Sequence, residues 1–163
     1  MSNTISDKFA SDNKNFAFLQ DTMMGPNAMR QAEELASHLN IREDMRILDL
    51  GCGMGLSTLY LAQQYGAEVF AADLWVTPTE NYKRFRSLSI ADKAIPLSID
   101  ATQPLPFAKR YFDVLFSVCA YHYFGGTADM LPSLIPFVKQ GGYLAVSVPG
   151  LQYDFRETVP EDM

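Results

Sequence analysis

Short apolar runs alternate with helical patterns along most of the 163-residue chain. Apolar runs bounded by turn residues predict buried strands, whereas apolar positions three and four residues apart predict helices. Strands are predicted at residues 46–50, 68–73, 94–99, 112–118 and 142–149, with helices between them at 56–65, 78–88 and 127–138. Strands separated by helical crossovers indicate an α/β fold with a doubly wound, mostly parallel sheet.

Prolines refine this prediction. Residues 21–40 predict one helix with Pro26 near its first turn, where a missing N–H costs little. Pro96 predicts that the third strand lies at a sheet edge, because proline cannot donate to a central ladder. Pro132 and Pro136 predict a kinked or split helix between residues 127 and 138. The buried stripe of the first helix is predicted to contain Met29, Ala32, Leu35, Ala36 and Leu39.

The composition is that of one ordinary globular domain, since 48% of the residues are hydrophobic and 20% are charged. The formal net charge is −6, so the average field of the chain repels a phosphate backbone and makes nucleic acid a poor candidate partner. The same charge favours a neutral or cationic small-molecule ligand.

Cys52 and Cys119 are isolated thiols without metal-ligand spacing, which suits a reducing compartment. No apolar run approaches the ~18 residues of a membrane span, and the N-terminus lacks an apolar signal core. These features predict a cytoplasmic protein with no metal site and no membrane partner.

A glycine-rich loop, "LDLGCGMGLST", follows the first predicted strand. Glycines between a strand and a helix let a ligand approach main-chain N–H groups. Asp49 precedes the loop, and Asp73 ends the second strand, where a carboxylate can accept hydrogen bonds from ribose hydroxyls. A nicotinamide-type loop is disfavoured, because Leu56 occupies the slot of its third small residue and Asp49 would oppose a pyrophosphate.

Residues 25–150 resemble the class I S-adenosylmethionine-dependent methyltransferases. The resemblance is carried, in order, by "ILDLGCGMG", "VFAADL", "SIDATQPLPF", "FDVLFSVCAYHYF" and "FVKQGGYLAVSVPG". It implies a Rossmann-like core with strand order 3-2-1-4-5. It also implies an enzyme that transfers a methyl group from S-adenosylmethionine to a small-molecule acceptor and releases S-adenosylhomocysteine.

The resemblance further implies where the cofactor lies. Gly51, Cys52 and Gly53 would pass under its methionine part, with Asp49 near the amino group and Ser117 lining the same end. Asp73 would hold the ribose and Leu74 would pack on the adenine, with Asp100 and Ala101 beside the adenine amine. An alternative for Asp73 and Asp100 is that they only form strand-end turns, a common role of aspartate. Cys52 would act as a small residue filling the loop.

The segment "SVCAYHYFGG" contains His122. Three roles are open for this residue: a structural histidine, a contact to the acceptor, or a general base. Tyr121, Tyr123 and Phe124 either present ring faces to a cationic ligand or simply pack. His122, Tyr121 and Tyr123 are therefore the candidate catalytic residues, and a base is required only if the acceptor must lose a proton.

We expect residues 1–40 to form a helical lid, 41–150 the cofactor-binding core and 151–163 a tail. Met23 and Met24 suit a lid, and Trp75 would stack on a ligand or anchor its loop. Relatives usually continue past strand five with an antiparallel strand pair, which 13 residues after Gly150 are too few to form. The alternatives are thus a fragment of a larger methyltransferase or a non-catalytic binding module, and the open sheet edge predicts a homo-oligomer.

Overall fold

The structure, a computed structural model, describes residues 13–125 and 127–150. Residues 1–12 and 151–163, which include the predicted tail and part of the predicted lid, lie outside the described residues. The helices are α1 (Asn13–Thr22), α2 (Ala28–Ser37), α3 (Leu56–Tyr65), α4 (Pro78–Ser87) and α5 (Thr127–Leu134), with 3-10 turns at Tyr121–Phe124 and Ile135–Phe137. The strands are β1 (Arg46–Leu50), β2 (Glu68–Asp73), β3 (Ala94–Ser98), β4 (Phe112–Val118) and β5 (Val138–Ser147).

The five strands form one parallel sheet in the order β3-β2-β1-β4-β5, which confirms the predicted topology. Ile47 of β1 pairs with Val69 of β2 on one side and with Val114 of β4 on the other. β3 lies at an edge, as Pro96 predicted, and β5 lies at the opposite edge. Strand order reverses between β1 and β4, the point where doubly wound sheets bind ligands.

Each face of the sheet has its own core, because alternate residues of a strand point to opposite faces. Ile47, Val114 and Phe116 pack with α2, α3 and α4 on one face. Leu48 and Leu115 pack with α5 and the segment before β4 on the other. The central strands are therefore apolar on both sides, as their continuous hydrophobic runs predicted.

The single helix predicted over residues 21–40 is wrong. Thr22 ends α1, and α2 begins only at Ala28. Gly25 and Pro26 lie in the break, and Asn27 caps α2 by accepting a hydrogen bond from the backbone N–H of Arg30 at 3.1 Å. The predicted stripe is otherwise correct, with Met29, Ala32 and Ala36 buried and Leu35 and Leu39 packed against them.

The C-terminal elements also differ in part from the prediction. The proline-containing helix is split, as predicted, into α5 and a 3-10 turn. β5 begins at Val138 rather than Gly142, and the register between β4 and β5 shifts between Phe112 and Val114. Gly141, with φ of 78°, lies within this irregular part of the strand, which explains why the sequence pattern did not reveal it.

None of the helices in the described ranges is long and apolar enough to cross a bilayer. Each has at most ten residues, whereas a span needs about 20.

Candidate active site

A cavity of about 320 Å³ opens at the carboxyl ends of the strands, which is a size typical of small-molecule sites. Loops after all five strands line it, together with the segment between α1 and α2. The lining residues fall within 22–28, 50–57, 73–76, 99–102 and 118–124, with Pro149. No group of histidine, cysteine or acidic residues in the described part of the chain is arranged to hold a metal ion.

The glycine loop forms the floor of this cavity. The backbone N–H groups of Gly51 and Cys52 both donate to the carbonyl oxygen of Ala72, at 2.8 and 3.1 Å, which ties the loop to β2. Gly51 has φ of 76°, and a Cβ there would overlap the methyl group of Ala120. Only glycine therefore allows the loop to pass this closely under the end of β4.

Asp73 lies at the cavity wall and is already a turn-forming residue. Its Oδ2 accepts from the N–H of Gly53 at 2.8 Å, and its Oδ1 accepts from the N–H groups of Trp75 and Val76 at 2.8 and 2.9 Å. A carboxylate offers about four lone-pair sites, so roughly one remains, on Oδ2. The turn-forming role and a ligand contact are thus compatible at this residue.

Three further predicted cofactor residues line the same cavity. Leu74 is half exposed, and Ala101 is buried in the wall. Asp100 accepts from the hydroxyl and N–H of Thr102 through Oδ1, at 2.6 and 2.9 Å. These bonds, the hydroxyl first, lower the pKa of Asp100. Asp100 is therefore an ionised carboxylate at neutral pH with its Oδ2 available to a donor.

Asp49 and Ser117 lie behind the cavity wall rather than on it. Asp49 is fully buried, and its Oδ2 accepts from the hydroxyls of Ser57 and Thr58 at 2.7 and 2.6 Å. Its Oδ1 has no partner, and burial raises the pKa of Asp49 to about 6. Ser117 donates through Oγ to the carbonyl of Leu50 at 2.8 Å.

Cys52 is buried in the loop next to the cavity. Burial, with the nearby charges of Asp49 and Asp73, raises the pKa of the Cys52 thiol well above its ordinary value. A protonated thiol is a weak nucleophile, so this side chain acts as a small filler.

An aromatic rim surrounds the mouth of the cavity. His122 is exposed, lines the cavity and packs on Tyr123 with 4.0 Å between ring centroids, so it is not a core residue. Tyr123 also meets Trp75 edge to face at 5.9 Å, although the two rings follow different strands. Tyr121 is buried in the core beside Phe124 and does not line the cavity, which separates it from the other candidate catalytic residues.

Some residues near the cavity carried little or no signal in the sequence. Ser57 and Thr58, the hydrogen-bond partners of Asp49, directly follow the glycine loop. Hydroxyl residues at the start of a helix, soon after an acid in an apolar strand, could have predicted this pairing. Asn81 of α4 donates to the carbonyl of Gly53 at 2.9 Å, although the two residues are 28 positions apart in the sequence. No local sequence pattern predicts this contact. Met24 lies 3.7 Å from the position that a Cβ of Gly53 would occupy.

A five-stranded parallel sheet in this order, with an acid at the end of β2 and a glycine loop after β1, defines a Rossmann-like fold of the methyltransferase type. The sequence model of the methyltransferase domain matches residues 48–146, which is more than half of the chain. The chain therefore belongs to the methyltransferase domain family.

Curated relatives share the family but differ in the acceptors that their names state. A 2-methyl-6-phytyl-1,4-hydroquinone methyltransferase of Synechocystis sp. is 34% identical over 101 residues, covering 62% of this chain and 31% of that protein. A trans-aconitate 2-methyltransferase of Paracidovorax citrulli is 30% identical over 121 residues, covering 74% and 45%. The chain thus spans less than half the length of either relative.

Solved structures agree with the fold. The geranyl diphosphate C-methyltransferase of Streptomyces coelicolor, solved with S-adenosylhomocysteine, has a TM-score of 0.65 at 24% identity, covering 72% of this chain and 44% of that one. The MccD protein has a TM-score of 0.69 at 18% identity, covering 84% and 58%. At these identities the likeness supports the architecture and not a substrate.

Proposed function

We propose that this chain binds S-adenosylmethionine in the cavity and transfers its methyl group to a small-molecule acceptor. The observation that carries the proposal is the convergence of the glycine loop, Asp73 and Asp100 on one cavity, which are the residues that the resemblance implies as cofactor contacts. When bound, this cofactor supplies an electrophilic methyl group on a sulfonium.

The residues present fit that cofactor. The remaining lone pair on Asp73 suits a ribose hydroxyl, and the Oδ2 of Asp100 suits an exocyclic amine. Leu74 and Ile99 give apolar walls for a base between these two carboxylates. Asp49 and Ser117 would act indirectly, by fixing the loop and the strand end from behind.

We assign water exclusion to the segment between α1 and α2. Thr22, Met24 and Pro26 line the cavity from above the glycine loop, which is the position of a cover. In-line methyl transfer depends mainly on alignment and on a dry site, so such a cover contributes directly to rate. This segment lies within residues 13–40, the described part of the lid proposed for residues 1–40.

The acceptor is proposed to be neutral or cationic. The cavity lining includes Asp73 and Asp100 but no lysine or arginine in the described ranges. A polyanionic acceptor such as trans-aconitate needs cationic partners, because a buried unpaired charge is costly. The exposed rings of Trp75 and Tyr123 favour a ring-containing or ammonium acceptor instead.

His122 is proposed to contact the acceptor and to accept its proton when the attacking atom carries one. It lines the cavity at the carboxyl end of β4, beside the ring of Tyr123. Tyr121 would support this turn from the core instead of touching the acceptor.

Isothermal titration with S-adenosylmethionine and S-adenosylhomocysteine tests cofactor binding. Asp73→Asn should weaken binding, whereas Asp44→Asn should leave it unchanged, because Asp44 is exposed and does not line the cavity. Wild-type protein that binds neither compound would refute the proposal. Turnover with matched phenols, amines and carboxylic acids then tests the acceptor class.

A second candidate function is a cofactor-binding module whose acceptor contacts come from elsewhere. The short span of the chain relative to its curated relatives favours testing it. Binding without turnover, and turnover restored by a longer chain, would support the module. Within residues 13–125 and 127–150, β5 forms an edge of the sheet, which favours a homo-oligomer, and the free thiols of Cys52 and Cys119 favour a cytoplasmic location.

A further inference from the structure

Both backbone polar groups of Gly53 are held by side chains, one from the last residue of β2 and one from α4. Its N–H donates to Oδ2 of Asp73 at 2.8 Å, and its carbonyl oxygen accepts from Nδ2 of Asn81 at 2.9 Å. Gly53 lines the cavity and has φ of 54°, in the left-handed region. One residue of the glycine loop is thus fixed from two directions.

The orientation of the Asn81 amide is determined by a third residue. Nη1 of Arg84, one turn further along α4, donates to Oδ1 of Asn81 at 2.9 Å. Because a guanidinium can only donate, the carbonyl of Asn81 must face Arg84, and its NH₂ group must face Gly53. Asn81 is 1% exposed, so a lost partner is not replaced by solvent.

The two contacts on Gly53 differ in their relation to the proposed ligand. Oδ2 of Asp73, which accepts from the N–H of Gly53, is also the atom proposed to accept from a ribose hydroxyl through its remaining lone pair. The bond from Asn81 goes to the carbonyl of Gly53 and involves no atom proposed to contact the ligand. A substitution of Asn81 therefore changes the support of the loop without removing a proposed ligand contact.

We infer that Asn81, oriented by Arg84, is a positioning residue that preorganises the glycine loop for the methyl donor. This inference rests on the proposed function. Preorganisation strengthens binding because the ordering cost of the loop is met before the ligand arrives. Loss of the Asn81 bond should therefore weaken ligand binding and not merely destabilise the fold.

The test compares Asn81→Leu and Asn81→Asp, which are close in size to asparagine but cannot donate to Gly53, with Glu80→Ala. Glu80 neighbours Asn81 on α4 and forms the capping box with Thr77, without contacting the loop. All three variants should unfold at lower temperature than wild type. Only the Asn81 variants should bind S-adenosylhomocysteine more weakly, by about tenfold.

A second readout needs no ligand. The hydrogen-exchange rate of the Gly53 amide should rise at least about tenfold in the Asn81 variants and stay near wild type in Glu80→Ala. Asn81 variants with wild-type affinity and a protected Gly53 amide would overturn the inference, leaving Asn81 a structural residue. If wild-type protein binds no donor, the proposed function fails, and the exchange rate alone decides whether Asn81 positions the loop.

Discussion

The carboxyl group of Asp49 joins β1 to the first turn of α3. Alternation along β1 puts Asp49 on the same face as Ile47, beneath the helix that carries Ser57 and Thr58. Two hydroxyls donate to Oδ2, while Oδ1 remains unpartnered. Desolvation outweighs these two bonds and raises the pKa of Asp49 from 3.8 to about 6.

This raised pKa predicts a specific pH dependence of stability for Asp49→Asn. Between pH 4 and 6 the folded protein binds more protons at Asp49 than the unfolded chain, so the free energy of unfolding of the wild type falls as pH rises through this window. Relative to the variant, the wild type should lose about 2 kcal/mol between pH 4 and 7.5. Urea denaturation at several pH values measures this, and parallel curves would contradict it.

His122→Asn should lower kcat for a protic acceptor by about 100-fold and remove the acidic limb of the pH–rate profile. The binding of S-adenosylhomocysteine should not change, because His122 is assigned to the acceptor. His38→Asn is the matched control, since His38 is the only other histidine and lies at the end of α2, away from the cavity. An unchanged profile would leave His122 as part of the cavity wall.

Most of the site residues that the sequence predicted line the cavity, but the sequence did not show which of them lie behind its wall. Gly51, Asp73 and Asp100 line the cavity because they follow strands at the edge where ligands bind. Asp49 and Ser117 lie within strands, where orientation depends on which face each strand residue takes. A single sequence shows that successive strand residues point to opposite faces of the sheet, but it does not show which face lies against the cavity.

At the scale of elements, one carboxylate joins the beginnings of three strands. Asp113 of β4 accepts from the backbone N–H of Arg46 in β1 at 2.9 Å, and from Nζ of Lys139 in β5 at 2.7 and 2.8 Å. Partial burial raises the pKa of Asp113, but these bonds outweigh it and hold the pKa below its ordinary value. This contact lies at the end of the sheet opposite the cavity.

Asp113→Asn should lower the free energy of unfolding at pH 7 by about 1–3 kcal/mol, since it removes a charged acceptor of several hydrogen bonds. A depressed pKa contributes stability above the unfolded value near 4 and loses it at lower pH, so the difference from wild type should shrink below about pH 4. Asp44→Asn is the control, because its pair with Arg42 is exposed. Equal effects of the two substitutions would contradict the prediction.

Strands β1 to β4 were predicted within a residue of their observed bounds, whereas α1 and the start of β5 were not predicted. β1, β2 and β4 have the predicted bounds. α1 was missed because its apolar residues form one run, at 16–19, and not a helical repeat, and the beginning of β5 was missed because it contains two glycines. At the start of β5 the pairing with β4, which a local pattern does not encode, fixes the backbone.

At the scale of the whole molecule, the net charge of −6 and the two carboxylates at the cavity both favour the binding of a cation. A negative field attracts cations and repels anions until salt screens it. The Debye length falls from about 30 Å at 0.01 M salt to about 8 Å at 0.15 M. Ligands of different charge should therefore respond differently to salt.

The methyl donor and its product provide this comparison, because S-adenosylmethionine carries one positive charge more than S-adenosylhomocysteine and is otherwise nearly identical. Raising salt from 10 to 150 mM should weaken binding of S-adenosylmethionine by about three- to tenfold and change binding of the product by less than about twofold. The emission of Trp75, the only tryptophan and a residue of the cavity wall, can report both titrations. Asp100→Asn should reduce the difference between the two ligands by removing a nearby charge. The same salt response for both ligands would show that the field of the chain does not act on the donor.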